Sequence, residues 1–152
     1  MNPFIIAIIV ILSLLLLYAI IYTIYQKFLS RYDKFRFAVG EENIVRATKG
    51  CVFQGLKSKG STQTTGNGFF ALTDEEIFFE LFVPKKVFQI MYDSIANVFL
   101  TKKYLNQYRA SGIMVVEFRT KKGKMDAIGF KFKNCQEWIE SVKTMVSSKK
   151  NE

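Results

Sequence analysis

Hydrophobic and polar positions along this chain follow three successive patterns. Phe4 to Ile24 (FIIAIIVILSLLLLYAIIYTI) is apolar on every face, broken only by Ser13 and Thr23, and no Lys, Arg, Asp or Glu occurs in the first 26 residues. As a helix, 21 residues at about 1.5 Å each span roughly 30 Å, the thickness of a bilayer's hydrocarbon core. A helix apolar all round must be enclosed by protein or by lipid, and a chain of 152 residues is too small to enclose it. A membrane span is therefore expected. A cleaved signal peptide fits less well, because Met1-Asn2-Pro3 carries no side-chain charge, the run is long, and no A-x-A pattern follows.

Residues 26–40 (QKFLSRYDKFRFAVG) place Phe28, Tyr32 and Phe35 at helical spacing among Lys27, Arg31, Lys34 and Arg36, with Asp33 as the one acid. Aromatics mixed with cations mark a membrane interface, so the helix is expected to continue past the headgroups. Ordinary snorkelling explains these cations at least as well as attraction to anionic lipid does. The contrast across the span predicts a single-pass protein of the cell membrane. Its N-terminus lies outside and residues 27–152 lie in the cytoplasm.

From Ile44 the period becomes two. Ile77, Phe79 and Leu81 alternate with Phe78, Glu80 and Phe82, and Met114, Val116 and Phe118 alternate with Val115, Glu117 and Arg119. Strands are expected near 44–54, 67–73, 76–82, 86–92, 95–101, 113–120 and 124–132, forming an antiparallel sheet. A third pattern follows. Asn134 and Glu137 have capping-box spacing, and Trp138, Ile139, Val142, Met145 and Val146 make one apolar stripe. That helix suits a core-packing role, covering an open edge of the sheet. The expected organisation is a transmembrane helix at 1–26, a basic-aromatic linker at 27–40, one domain at 41–148 and a frayed tail at 149–152.

Composition narrows the chemistry. The net charge of +9 and pI of 9.6 fall wholly on the part after the span. The chain has no histidine, which removes the usual general base, the usual metal ligand and every Ser-His or Cys-His pair. No catalytic residue, metal site or cofactor is expected, and the protein is read as non-enzymatic. Cys51 and Cys135 lie outside any C-x-x-C or zinc-like spacing and are expected to be free, buried thiols. Gly55 to Thr62 (GLKSKGST) lacks the lysine of a phosphate-binding P-loop and precedes a strand, so it is no nucleotide site.

Seven short strands followed by one amphipathic helix is the layout of the pleckstrin-homology (PH) superfold. GFFALTDEEIFFE (68–80), VFQIMYDSIANVFL (87–100), VVEFRTKKGKMDAIGFKF (115–132) and QEWIESV (136–142) resemble GRAM-like and bacterial PH-like domains. The likeness covers about residues 41–147. It implies a mainly-β domain, a bent sheet or partly open barrel of seven antiparallel strands capped by the C-terminal α-helix. The superfold binds phosphoinositides, peptides or proteins. In PH domains that bind phosphoinositides, the headgroup sits at the first loop, here 57–68, which holds Lys57 and Lys59 but no Arg.

Loop charges extend that reading. In a meander, successive loops alternate between the ends of a sheet. Lys57 and Lys59, Lys85 and Lys86, and Lys102, Lys103 and Arg109 then share one end, whereas Asp74, Glu75, Glu76 and Asp93 share the other. In PH domains the sixth loop lies near the first and third, which would add Lys121, Lys122 and Lys124 to the basic end. Lysine-rich turns also serve solubility alone. The expected function is a membrane-anchored binding or adaptor module at the cytoplasmic face, taking a protein or peptide partner or acidic lipid headgroups. Aromatics placed as strand-core residues make nucleic acid an improbable partner. The alternative is a structural or regulatory subunit of a membrane complex, for which the span offers only one small-xxx-small pair, Ala19 with Thr23.

Overall fold

The computed structural model describes residues 3–150. The chain divides into two compact units, Met1–Phe37 and Ala38–Glu152. Helix α1 runs without a break from Pro3 to Val39, 37 residues, and is long and apolar enough to cross a membrane. Every side chain from Pro3 to Lys27 is exposed. The two hydroxyls that interrupt the apolar run are satisfied within the helix. Ser13 Oγ donates to the Val10 carbonyl and Thr23 Oγ1 to the Ala19 carbonyl, each at 2.8 Å. Neither hydroxyl then needs a partner from outside, as an apolar surrounding demands. Lys27, Arg31, Lys34 and Arg36 all lie on α1, so the segment expected as a linker is helical up to Val39. Tyr32 and Phe35 stack there at 6.1 Å.

The second unit contains β1 (Ile44–Leu56), β2 (Gly66–Thr73), β3 (Glu76–Leu81), β4 (Lys86–Met91), β5 (Ile95–Tyr104), β6 (Gln107–Arg119), β7 (Met125–Lys131) and helix α2 (Cys135–Lys150). All seven strands join one antiparallel sheet in the order β4-β3-β2-β1-β7-β6-β5. β1 divides its partners. Ile44 to Phe53 face β2, Val52 to Leu56 face β7, and register shifts at Thr48/Cys51 and Phe53/Gly55 break the ladder. Such irregularities bend a strand and raise its twist, so the sheet curls around its main core.

That core is aromatic. Phe70 meets Phe130 edge-on at 5.1 Å and Trp138 at 5.4 Å, and Phe132 stacks on Trp138 at 4.9 Å. Each such contact adds about 0.5–1.5 kcal/mol to the area buried. Trp138, Ile139 and Val142 are the buried stripe of α2, with Met145 and Val146 packed beside them. The helix lies against β5, β6 and the short turn at Tyr92–Ser94. Arg46 holds its near end, with the guanidinium 4.1 Å from the Trp138 ring and 3.2 Å from the Glu137 carboxylate. Both cysteines are free and buried, and burial, reinforced by nearby Cys135, pushes the Cys51 thiol up. A buried neutral thiol is unreactive.

Two details depart from the expected pattern. Lys102, Lys103 and Arg109 are not in a loop. β5 and β6 extend until Tyr104 pairs with Gln107, leaving Leu105 and Asn106 as a two-residue turn, both at positive φ. The lysine-rich polar stretch hides this extension because its anchor is tertiary. The Tyr104 hydroxyl donates to the Ala127 carbonyl at 2.8 Å, and Tyr104 and Phe99 pack on Ile113, Val115 and Ala127. Leu105 reaches Gly55, where φ is +119° and a Cβ would lie 2.8 Å from Leu105 Cδ1. Lys149 and Lys150 close the last turn of α2 instead of fraying, while the rest of the expected tail lies outside the described residues. Asn134 and Glu137 do meet, side chain to side chain, at 2.8 Å.

Two measurements test this packing. A Cβ on Gly68 would collide with the Glu80 carbonyl oxygen, a backbone atom, and with the Phe79 ring. Gly68→Ala should lower domain stability by about 1–3 kcal/mol, read as a reduced urea midpoint. The Tyr92 hydroxyl donates to the Thr73 carbonyl at 2.9 Å, and burial, with Asp74 and Glu76 nearby, raises its pKa. A raised tyrosine pKa contributes stability that is whole below the ordinary value of about 10 and drains away as pH rises beyond it. The alkaline loss of stability should therefore be shallower in Tyr92→Phe, measured by chemical denaturation across that range.

Candidate functional site

The first loop is built by one glutamine. Gln63 Oε1 accepts from the Leu56 amide at 2.8 Å, and Gln63 Nε2 donates to the carbonyls of Leu56 and Gly60. The side chain thereby stands in for a missing backbone pairing and closes the segment after β1 into a fixed turn. A second tie joins this turn to the start of β7. The Ser58 amide and hydroxyl both donate to the Asp126 carboxylate, at 2.9 and 2.6 Å. Hydrogen bonds to a charged acceptor are short and strong, so the first loop is held against the start of β7.

These ties separate the candidate lysines. Lys59 and Lys86 line one hollow of 480 Å³ between the first loop and the turn joining β3 to β4. Its floor is Phe53, Leu56, Leu81 and Phe88, and Thr62, Gln63 and Thr64 supply polar groups at its wall. No carboxylate is among the described residues that line it. Lys57 faces elsewhere, into a hollow of 200 Å³ that it shares with Glu117 and Asp126. Lys85 lies 3.7 Å from Glu80, whose side chain is only 9% exposed.

Lys121 lines a third hollow, of 590 Å³, where β4 and β5 diverge. Arg119, Thr120, Met91 and Met125 join it there, with Asp93 as an acid. Lys122 and Lys124 are exposed on the turn closed by Thr120, whose amide donates to the Lys124 carbonyl at 2.8 Å. Of the seven candidate lysines, the structure thus brings Lys59 and Lys86 to one hollow and sets Lys121 in another with Arg119. Arg119 gave no signal in the sequence beyond its place as the polar member of an alternating strand. Its partnership with Lys121 is made by the turn.

A pair of cations over an apolar floor, with no acid lining the hollow, can hold an anionic group whose attached part is hydrophobic. Among the described residues, no group of three His, Cys, Asp or Glu side chains is placed to hold a metal ion.

No protein-family model matches the chain, and no curated protein matches its sequence. In three dimensions it is similar to the crystal structure of the C-terminal domain of an unknown protein from Leishmania infantum. That likeness has 13% identity and a TM-score of 0.53, covering 76% of this chain and 96% of the other. At this identity the likeness is one of fold.

The tie between Ser58 and Asp126 is open to test. Asp126→Ala removes the acceptor of both Ser58 bonds, and amide exchange at Ser58 should quicken about tenfold or more, the equivalent of a hydrogen bond to a charged group.

Proposed function

We propose that this chain is a single-pass membrane protein carrying a PH-like domain of the GRAM-like kind, which acts without catalysis as a binding module for anionic groups at the cytoplasmic membrane surface. Helix α1 supports the anchor, since it is apolar on all sides over its exposed N-terminal part and basic beyond it. The cations Lys27, Arg31, Lys34 and Arg36 support an N-terminus outside and the domain inside. The bent antiparallel sheet followed by one packed helix supports the PH-like assignment.

One observation carries the functional part. Lys59 and Lys86 line a single hollow with an apolar floor and no lining carboxylate, held in place by a turn that Gln63 has closed. Two ammonium groups attract an acidic headgroup without the fork geometry of Arg, so the grip is electrostatic and tolerant of headgroup shape. Because the anchor already keeps the domain at the bilayer, such contacts orient it or hold a partner there; they are not needed for recruitment.

Residues 38–152 hold their own core, which makes the isolated unit a usable probe. It should bind vesicles in proportion to their anionic lipid and release them as salt rises, at about 1 kcal/mol per lysine near the surface. The double variant Lys59→Glu/Lys86→Glu should lose this binding, whereas Lys102→Glu/Lys103→Glu should keep most of it. A domain indifferent to anionic vesicles at low salt would end the proposal of a headgroup site.

A further inference from the structure

We infer that the outer edge of β4 is a docking strand for an extended acidic segment of a partner protein. This rests on reading the domain as a binding module and names the kind of partner it takes.

The sheet ends in β4 and β5, so each has one edge without a neighbouring strand. The two edges are built differently. β5 pairs with register shifts at Ile95/Asn97 and Thr101/Lys103, carries Lys102 and Lys103, and has α2 packed against it. Irregular pairing, edge lysines and a covering helix are the devices by which proteins prevent another strand from adding. β4 carries one of them, Lys86 at its first residue, and has no irregular pairing and no further lysine. Its register with β3 is regular from Lys86 to Met91, no charge or proline occurs from Val87 to Met91, and Val87 and Met91 are 47% and 44% exposed. Along such an edge every second residue turns its N–H and C=O outward, which is a template for strand addition.

The charge of the occupant follows from the two ends of the strand. Lys86 and Phe88 belong to the hollow that holds Lys59, while Gln89, Ile90 and Met91 belong to the hollow that holds Arg119 and Lys121. The six residues of β4 therefore lead, over about 20 Å, from one pair of cations to another. Asp93 is the one carboxylate among the described residues lining these two hollows. An added strand with acidic side chains toward both ends and apolar ones between them matches this layout. A second copy of this chain does not, because like charges would be set against each other on a protein of net charge +9.

The test uses the full-length chain in zwitterionic nanodiscs, panned against displayed random linear peptides, with the enriched sequences then synthesised. Enriched peptides should carry Asp or Glu toward both ends, slow amide exchange over Val87–Met91, and bind about tenfold more weakly to Arg119→Glu/Lys121→Glu. Both substituted side chains are exposed, so the fold is not at stake. The inference falls if no peptide is enriched over empty nanodiscs, or if the binders are neutral or basic. It falls equally if the binders leave β4 amides unprotected. Protection of β4 by anionic vesicles without peptide would assign the edge to lipid, and protection that grows with protein concentration would assign it to a second copy; either overturns it. Vesicle binding through Lys59 and Lys86 is a separate measurement, so failure of that reading and failure of this one are distinguishable.

Discussion

The divided pairing of β1 is the constraint on which the rest of the domain depends. A strand of 13 residues gives its first part to β2 and its last part to β7, and the register breaks at three places along it. Without those breaks the sheet would be a flat ribbon whose inner face could not close on itself. With them, Phe53 and Phe79 from one half come to share a core with Phe130 and Phe132 from the other. Trp138 then meets Phe70 and Phe132 together, and α2 has a defined place to sit.

The same bend decides where charge gathers. A meander drawn flat sends its loops to alternate ends, and all the lysines at one end would then act as one patch. In the curled sheet the Ser58–Asp126 tie holds the first loop against the start of β7 and brings an acid beside it. Lys57 is left beside Glu117 and Asp126, and Lys59 faces Lys86 across an apolar floor. Clustering of like charge is costly unless a counter-charge arrives, so a lysine pair in a hollow that no acid lines is a place where an anion is favoured.

The hairpin of β5 and β6 shows how a polar stretch is made regular by contacts from afar. TKKYLNQYRA has the composition of a loop, yet Tyr104 and Leu105 find Ala127 on β7 and Gly55 on β1, two and three strands away, and the strands run on to meet them. The extension also equips β5 with the irregular pairing that β4 lacks. The two free edges of the sheet thus differ in kind, one closed to other strands and one open.

Local pattern determined a great deal by itself. The apolar run from Phe4 to Ile24, the period-two strands and the Trp138 stripe are each carried by neighbours in sequence. Burial acts on the same few residues that show the pattern, so these elements were legible. The structure places seven strands and α2 within a few residues of the expected bounds, except where the β5–β6 hairpin outruns them. What the pattern could not contain is which loops meet. The tie of Ser58 to Asp126 spans 68 residues, and the separation of Lys57 from Lys59 depends on the side of a turn that Gln63 closes. Arg119 beside Lys121, and the bare edge of β4, likewise exist only once the sheet has curled. The sequence alone determined the elements and their faces, because periodicity is local. Tertiary structure alone decided the site, because charges act through space and the bend in β1 sets the distances between them.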